Sequence, residues 1–118
     1  MRILVKIPLF ILLLAIAFFR FTFILPAFAV EASEGAKIFE ANCSSCHIGG
    51  GNILISHKTL KKEALSSNLE NYNQEGIKAI INQVKNGKNA MPAFKNKLSN
   101  EEILQVAAYV FQKAETGW

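Results

Sequence analysis

The chain is predicted to fold as an all-α protein with about four helices, and three observations point there. Apolar residues recur at helical spacing: Ile77, Ile80, Ile81 and Val84 in one stretch, and Ile103, Val106, Ala107, Val110 and Phe111 in another. No stretch shows a strand-like alternation of any length. Helix punctuation stands where the stripes begin and end, with Gly87 closing the first and "SNEE", Ser99 to Glu102, opening the second as a capping box. No internal repeat and no low-complexity segment is present.

The first thirty residues read differently from the rest. Arg2 and Lys6 give a basic start, Ile7 to Phe19 is almost wholly apolar, and Phe21 to Leu25 is apolar again after Arg20. Pro26 then precedes Ala27, Phe28 and Ala29. A basic n-region, an apolar h-region and small residues in an A-x-A site describe a secretory signal, so residues 1–29 are expected to be a cleaved signal peptide and residues 30–118 the mature domain. An uncleaved anchor is the alternative, since the apolar stretch is about long enough to span a bilayer; Arg20 and the A-x-A site favour cleavage. No long Ser- and Arg-rich transit segment precedes the signal, which points to bacterial-type export, in a bacterium or inside a plastid.

In the mature part, Ser33 is expected to cap a helix from Glu34 towards His47, with Gly35, Phe39, Cys43 and Cys46 on one face and "GGGN" at Gly49 to Asn52 ending it. An irregular piece follows through Lys58. Thr59 to Leu69 holds a short helix with Leu60, Ala64 and Leu65 inward, and another begins near Asn73. Lys88 to Leu98, "KNAMPAFKNKL", reads as loop because Pro92 and the asparagines oppose regular structure. The last helix starts at the Ser99 cap.

A domain of 89 residues from Val30 to Trp118 has a marginal core unless something reinforces it. Two cysteines allow at most one disulfide, so a metal or cofactor is the better candidate. The net charge of +4 owes much to Arg2, Lys6 and Arg20; the mature part is close to +1 and gives no support for nucleic-acid binding.

The two cysteines stand in "CSSCH", Cys43 to His47. A thioredoxin-like redox pair would need a βαβ pattern, which is missing. A zinc site would need His57 as fourth ligand, and adjacent Cys46 and His47 would struggle to reach one tetrahedral ion. A nucleophilic cysteine would want a base and an orienting partner, and neither is evident. Attachment of c-type haem accounts for every residue. Two cysteines three apart can tie down the two vinyl groups as thioethers, and the next residue, His47, is then held beneath the iron as proximal ligand. Met91 in "AMPAF" is the favoured sixth ligand. His57 is the competitor, but it sits among Ser56, Lys58 and Lys61 in a solvated stretch. With both axial positions filled no site remains for substrate, so the expectation is a one-electron carrier and not an enzyme.

Charge is unevenly placed. Residues 76–100 hold Lys78, Lys85, Lys88, Lys95 and Lys97 and no acidic residue, while the segments on either side are each net acidic. The segment is either a solvated lysine face or a patch that steers towards an acidic partner. Ala90, Pro92 and Ala93 are candidates for a small apolar rim suited to a weak, short-lived interface.

The chain resembles cytochrome c6 of algae and cyanobacteria in "GAKIFEANCSSCHIGGGN", "KTLKKEAL", "INQVKNGKNAMPAF", "LSNEEI", "VAAYVFQKA" and "GW", which together cover nearly all of the mature domain. That resemblance implies a class I cytochrome c fold and one covalently bound haem c on Cys43 and Cys46, with His47 and Met91 as axial ligands. It implies that Gln83 tunes the haem potential, and that Gly35, Phe39 and Tyr109 lie where the first and last helices cross. It further implies a soluble carrier from cytochrome f of the b6f complex to photosystem I in the thylakoid lumen, plastid or cyanobacterial, with membrane contact only through those complexes. The alternative is a bacterial c-type cytochrome donating to a respiratory terminal oxidase. The family often has Trp where Phe94 stands, Gly for Asn89, Arg for Lys97, and a proline and an acid where Ser56 and His57 stand.

Overall fold

The computed structural model describes residues 6–118, with side chains described for 7–19 and 33–118. The start containing Arg2, and the side chains of Lys6, Arg20 and the Ala27–Phe28–Ala29 site, lie outside the described residues. The chain divides into two compact units, Met1–Val30 and Glu31–Trp118. In the first, Ile7 to Phe19 is helical and its side chains are exposed. Among the described residues, no helix is long and apolar enough to cross a membrane.

The described residues are helical, with no strand among them. The helices are α1 (Lys6–Asn42), α2 (Ser44–His47), α3 (Lys62–Asn68), α4 (Tyr72–Glu75), α5 (Ile77–Asn86) and α6 (Asn100–Thr116), and a 3-10 turn spans Ile48–Gly50. That makes seven helical segments where about four were expected; four of them are at least seven residues long. Two expectations need correction. Ser33 is not an N-cap, because it lies inside α1; Ala29 to Ala32 contain no helix breaker, so the helix needs no start there. The helix expected from Asn73 is two helices, parted at Gly76, whose φ of 55° and ψ of −118° lie outside the helical region. The helix expected to reach His47 also stops early, at Asn42, and resumes as α2.

The capping box forms as the sequence suggests. The Glu102 N–H donates to Ser99 Oγ at 3.1 Å and the Ser99 N–H to Glu102 Oε2 at 2.8 Å. The apolar stripe of α6 supplies the centre of the core: Ile103, Val106 and Ala107 are at most 1% exposed. α5 packs on α6 through buried Ala79, Ile80 and Val84, and Phe39, Leu65, Tyr72, Phe94 and Leu98 close the core. At Gly35, an added Cβ would overlap the Gln105 carbonyl and lie 2.8 Å from the Tyr109 Cβ. Only a residue without a side chain lets α1 and α6 come this close, and the Phe39 and Tyr109 rings flank the crossing, 5.4 Å apart.

Candidate haem site

The site begins where α1 ends. Cys43 N–H closes the last turn on the Phe39 carbonyl at 2.8 Å, and the Cys43 carbonyl then accepts from both Cys46 (3.1 Å) and His47 (2.9 Å). Cys43 and His47 are therefore one helical turn apart on a short, tightly wound segment. Gly49, at φ 57°, ends it. The chain folds back beneath the histidine, with Ile53 N–H bound to the Cys46 carbonyl at 3.0 Å.

His47 Nδ1 lies 2.9 Å from the Gly51 carbonyl oxygen. A carbonyl can only accept, so in the neutral ring Nδ1 carries the proton and Nε2 the lone pair. This is the tautomer that a metal-ligating imidazole needs, with its second nitrogen anchored to the backbone.

Cys43 is half-buried at the edge of the core and Cys46 is exposed; they form no disulfide. Burial pushes the Cys43 thiol up to about 11, against the pull of the Lys97 ammonium, while Cys46 adds to the rise. The thiol is thus neutral at physiological pH, and Lys97 is close enough to act on it.

Met91 is presented by a tight loop after α5. Lys88 and Met91 exchange two backbone hydrogen bonds of 3.0 Å each. Phe94 N–H donates to the Val84 carbonyl at 2.9 Å, pinning the loop's far side to α5. Gly87, at φ 64°, has no room for a Cβ, which would overlap the Met91 carbonyl and lie 2.7 Å from Ala93 N. Asn89 takes a left-handed φ of 54°; besides glycine, asparagine is among the few residues that tolerate it. The Gln83 amide points at Met91, with Nε2 donating to Sδ at 3.7 Å. Met91, like Cys43, packs against the edge of the buried core.

His57 is exposed in the loop after Gly51. Among the described residues no group of three or more His, Cys, Asp or Glu side chains is placed to hold a metal ion, so the zinc alternative finds no ligand set. The donors present fit haem c: two thiols three residues apart, an imidazole of the right tautomer, and a thioether on a stiff loop. Ile48, Ile53 and Leu54 are over 60% exposed beside this segment, an apolar surface suited to a large apolar group.

Two contributors escaped the sequence reading. The Gly51 carbonyl is backbone and leaves no mark in residue type. Asn52 clasps the irregular loop, its Oδ1 accepting from Leu54 N (3.0 Å) and Ile55 N (2.9 Å) and its Nδ2 donating to the Lys58 carbonyl at 3.1 Å. An asparagine directly after a glycine run was the available signal for such a turn.

Residues 30–110 match the family model described as "Cytochrome C oxidase, cbb3-type, subunit III". Cytochrome c6 of Nostoc sp. is 54% identical over 108 residues, 92% of this chain and 94% of that protein. Cytochrome c6 of Gracilaria tenuistipitata is 54% identical over 91 residues, 77% of this chain and 81% of that protein. The crystal structure of cytochrome c6 from the diatom Phaeodactylum tricornutum superposes with a TM-score of 0.69 at 53% identity, covering 74% of this chain and 98% of that one. The chain belongs to the cytochrome c6 family of electron-carrying cytochromes and, through residues 30–110, to the family which that model describes.

Proposed function

We propose that this protein carries single electrons from cytochrome f of the b6f complex to photosystem I in the thylakoid lumen, on one haem c attached covalently through Cys43 and Cys46. The observation that carries the reading is a CSSCH turn whose His47 imidazole is anchored on the Gly51 carbonyl, with a Met91 thioether contacted by the Gln83 amide elsewhere in the fold, in a chain about half identical to cytochromes c6. When bound, haem supplies a one-electron iron couple whose potential is raised by a thioether ligand. Everything else is done by the chain. Cys43 and Cys46 anchor the group on a single helical turn. His47 offers Nε2 and holds its own proton on Nδ1. The Lys88–Met91 loop would hold the sulfur as a second iron ligand, which would leave no position for oxygen or peroxide.

The surface supports a short-lived encounter. Lys78, Lys88, Lys95 and Lys97 are exposed, and of these only Lys88 approaches a carboxylate among the described residues, Glu70 at 4.0 Å. Ala90, Pro92 and Ala93 are exposed on the methionine loop between them. Cations around small apolar side chains favour fast association without tight binding. A second reading, donation to a respiratory terminal oxidase, draws support from the oxidase named in the family model. Flash-induced oxidation of photosystem I particles separates the two. The proposal expects the reduced protein to re-reduce the photo-oxidised centre in a second-order reaction. Failure to do so, with rapid oxidation by a membrane oxidase, would reverse the order of preference.

A further inference from the structure

Trp118 is the single tryptophan of the chain, and its half-buried ring joins three parts of the fold. The ring lies 5.3 Å from Phe39 on α1 and edge-on to Tyr109 on α6 at 6.0 Å. The Lys113 ammonium is 5.8 Å from its centroid. Its indole N–H donates to the Leu60 carbonyl at 2.9 Å. Leu60 N–H in turn donates to the Gly50 carbonyl at 2.7 Å. The indole also lies flat on Gly50, where an added Cβ would stand 2.7 Å from Cε2 and closer still to Cγ and Cδ2. Trp118, Leu60 and Gly50 thus form a closed set of contacts, and Gly50 is buried within it while its neighbours Gly49 and Ile48 are exposed.

The residue after Gly50 is Gly51, whose carbonyl accepts the His47 Nδ1 proton. A run of three glycines has little stiffness of its own. The Gly50–Gly51 peptide is held from the far side by the indole and the Leu60 bridge, and from the near side by the Gly51 N–H to Ile48 carbonyl bond of 2.9 Å. We propose that Trp118 is a positioning residue for His47, fixing the Gly51 carbonyl where it draws fully on the ring proton. A stronger hydrogen bond from Nδ1 makes the imidazole a better donor at Nε2 and favours the oxidised metal. The inference rests on the reading of His47 as an iron ligand.

The test compares the holoprotein with W118L, W118F and V110A, the last a core truncation in α6 that serves as a control for lost stability. In W118L the equilibrium constant for reduction rises about threefold, or about 30 mV at 59 mV per tenfold for one electron. In the reduced protein the His47 Nδ1 proton, followed by nitrogen-15 NMR, shifts and exchanges roughly tenfold faster as the loop opens more often. W118F keeps a ring on Gly50 but lacks the N–H and falls between W118L and wild type; it carries the comparison if W118L does not fold. V110A loses stability and leaves both readouts unmoved. The inference is overturned if the tryptophan variants keep the wild-type potential and His47 resonance, or if V110A moves them as far. A wild-type protein without covalent haem would overturn the proposed function and this inference together, whereas a normal wild type with unresponsive variants would overturn the inference alone.

Discussion

Gln83 sits eight residues before Met91, and no helical or strand spacing would pair them; only the turn at Gly87 brings the amide to the sulfur, at 3.7 Å. An N–H directed at a thioether withdraws density from a lone pair that would otherwise favour ferric iron, so it should raise the potential. Gln83→Leu is expected to lower the midpoint by about 40 mV, the equivalent of one weak hydrogen bond of about 0.9 kcal/mol; voltammetry of the purified variant measures it. Tyr72 makes a different case. Its hydroxyl is buried with no hydrogen-bond partner among the described residues, its ring packs on Phe111 at 6.3 Å, and burial, with Glu115 adding and Lys62 opposing, pushes its pKa above the ordinary 10.0. The folded chain therefore keeps a proton that the unfolded chain gives up. Stability present at neutral pH is lost as pH rises through the ordinary tyrosine range towards the higher folded value. Tyr72→Phe should change stability at pH 7 by no more than about 1 kcal/mol, on the stabilising side, and should flatten the decline above pH 10 in denaturant titrations. A strong loss of stability at neutral pH would show that the hydroxyl has a partner.

At the level of elements, the loop from Gly87 to Phe94 determines how firmly Met91 is held. It has little burial of its own, since Lys88, Asn89, Ala90, Pro92 and Ala93 are all exposed, and depends on backbone bonds at both ends. Asn89→Ala leaves those bonds but puts a Cβ without a local hydrogen-bonding group at φ 54°, a cost of about 1 kcal/mol. Thermal unfolding should fall by roughly 4–8 °C for a domain of this size, and Asn89→Gly should match or exceed wild type. If Asn89→Ala melts with wild type, the left-handed turn is not what constrains the loop. Much of this element was legible beforehand: Pro92 and the asparagines marked a loop, and Gly87 marked the end of α5. The last helix was legible in full, because its cap and stripe are both local signals. The first mature helix was not. A serine followed by glutamate resembles a start, yet what lies upstream decides whether a start is needed, and α1 runs through. Gly76 was overlooked because a single backbone torsion, and no side chain, splits α4 from α5.

Over the whole molecule, the candidate site owes its legibility to residue types at fixed spacing. The proposed attachment of haem through two thioethers, with a ligand on the same turn, would impose a spacing that survives any packing detail, whereas the groups around these side chains are carbonyls, glycines and distant rings. Charge is the other property that belongs to the molecule as a whole. The cations between residues 76 and 100 lie among exposed small apolar residues, and acidic residues are confined to the remaining segments. Lys95→Glu with Lys97→Glu should slow association with photosystem I at least tenfold at low salt. The gap should narrow as ionic strength rises and the Debye length shrinks to about 8 Å. Equal rates with equal salt dependence would reduce the segment to a solvated lysine face. None of this holds unless the chain itself retains the pigment, and the most direct test is the intact mass of the protein after denaturation and acid–acetone extraction. The mass of the mature chain plus one haem, lost in a variant with Cys43→Ala and Cys46→Ala, is the predicted result; the bare mass of the mature chain would contradict the account.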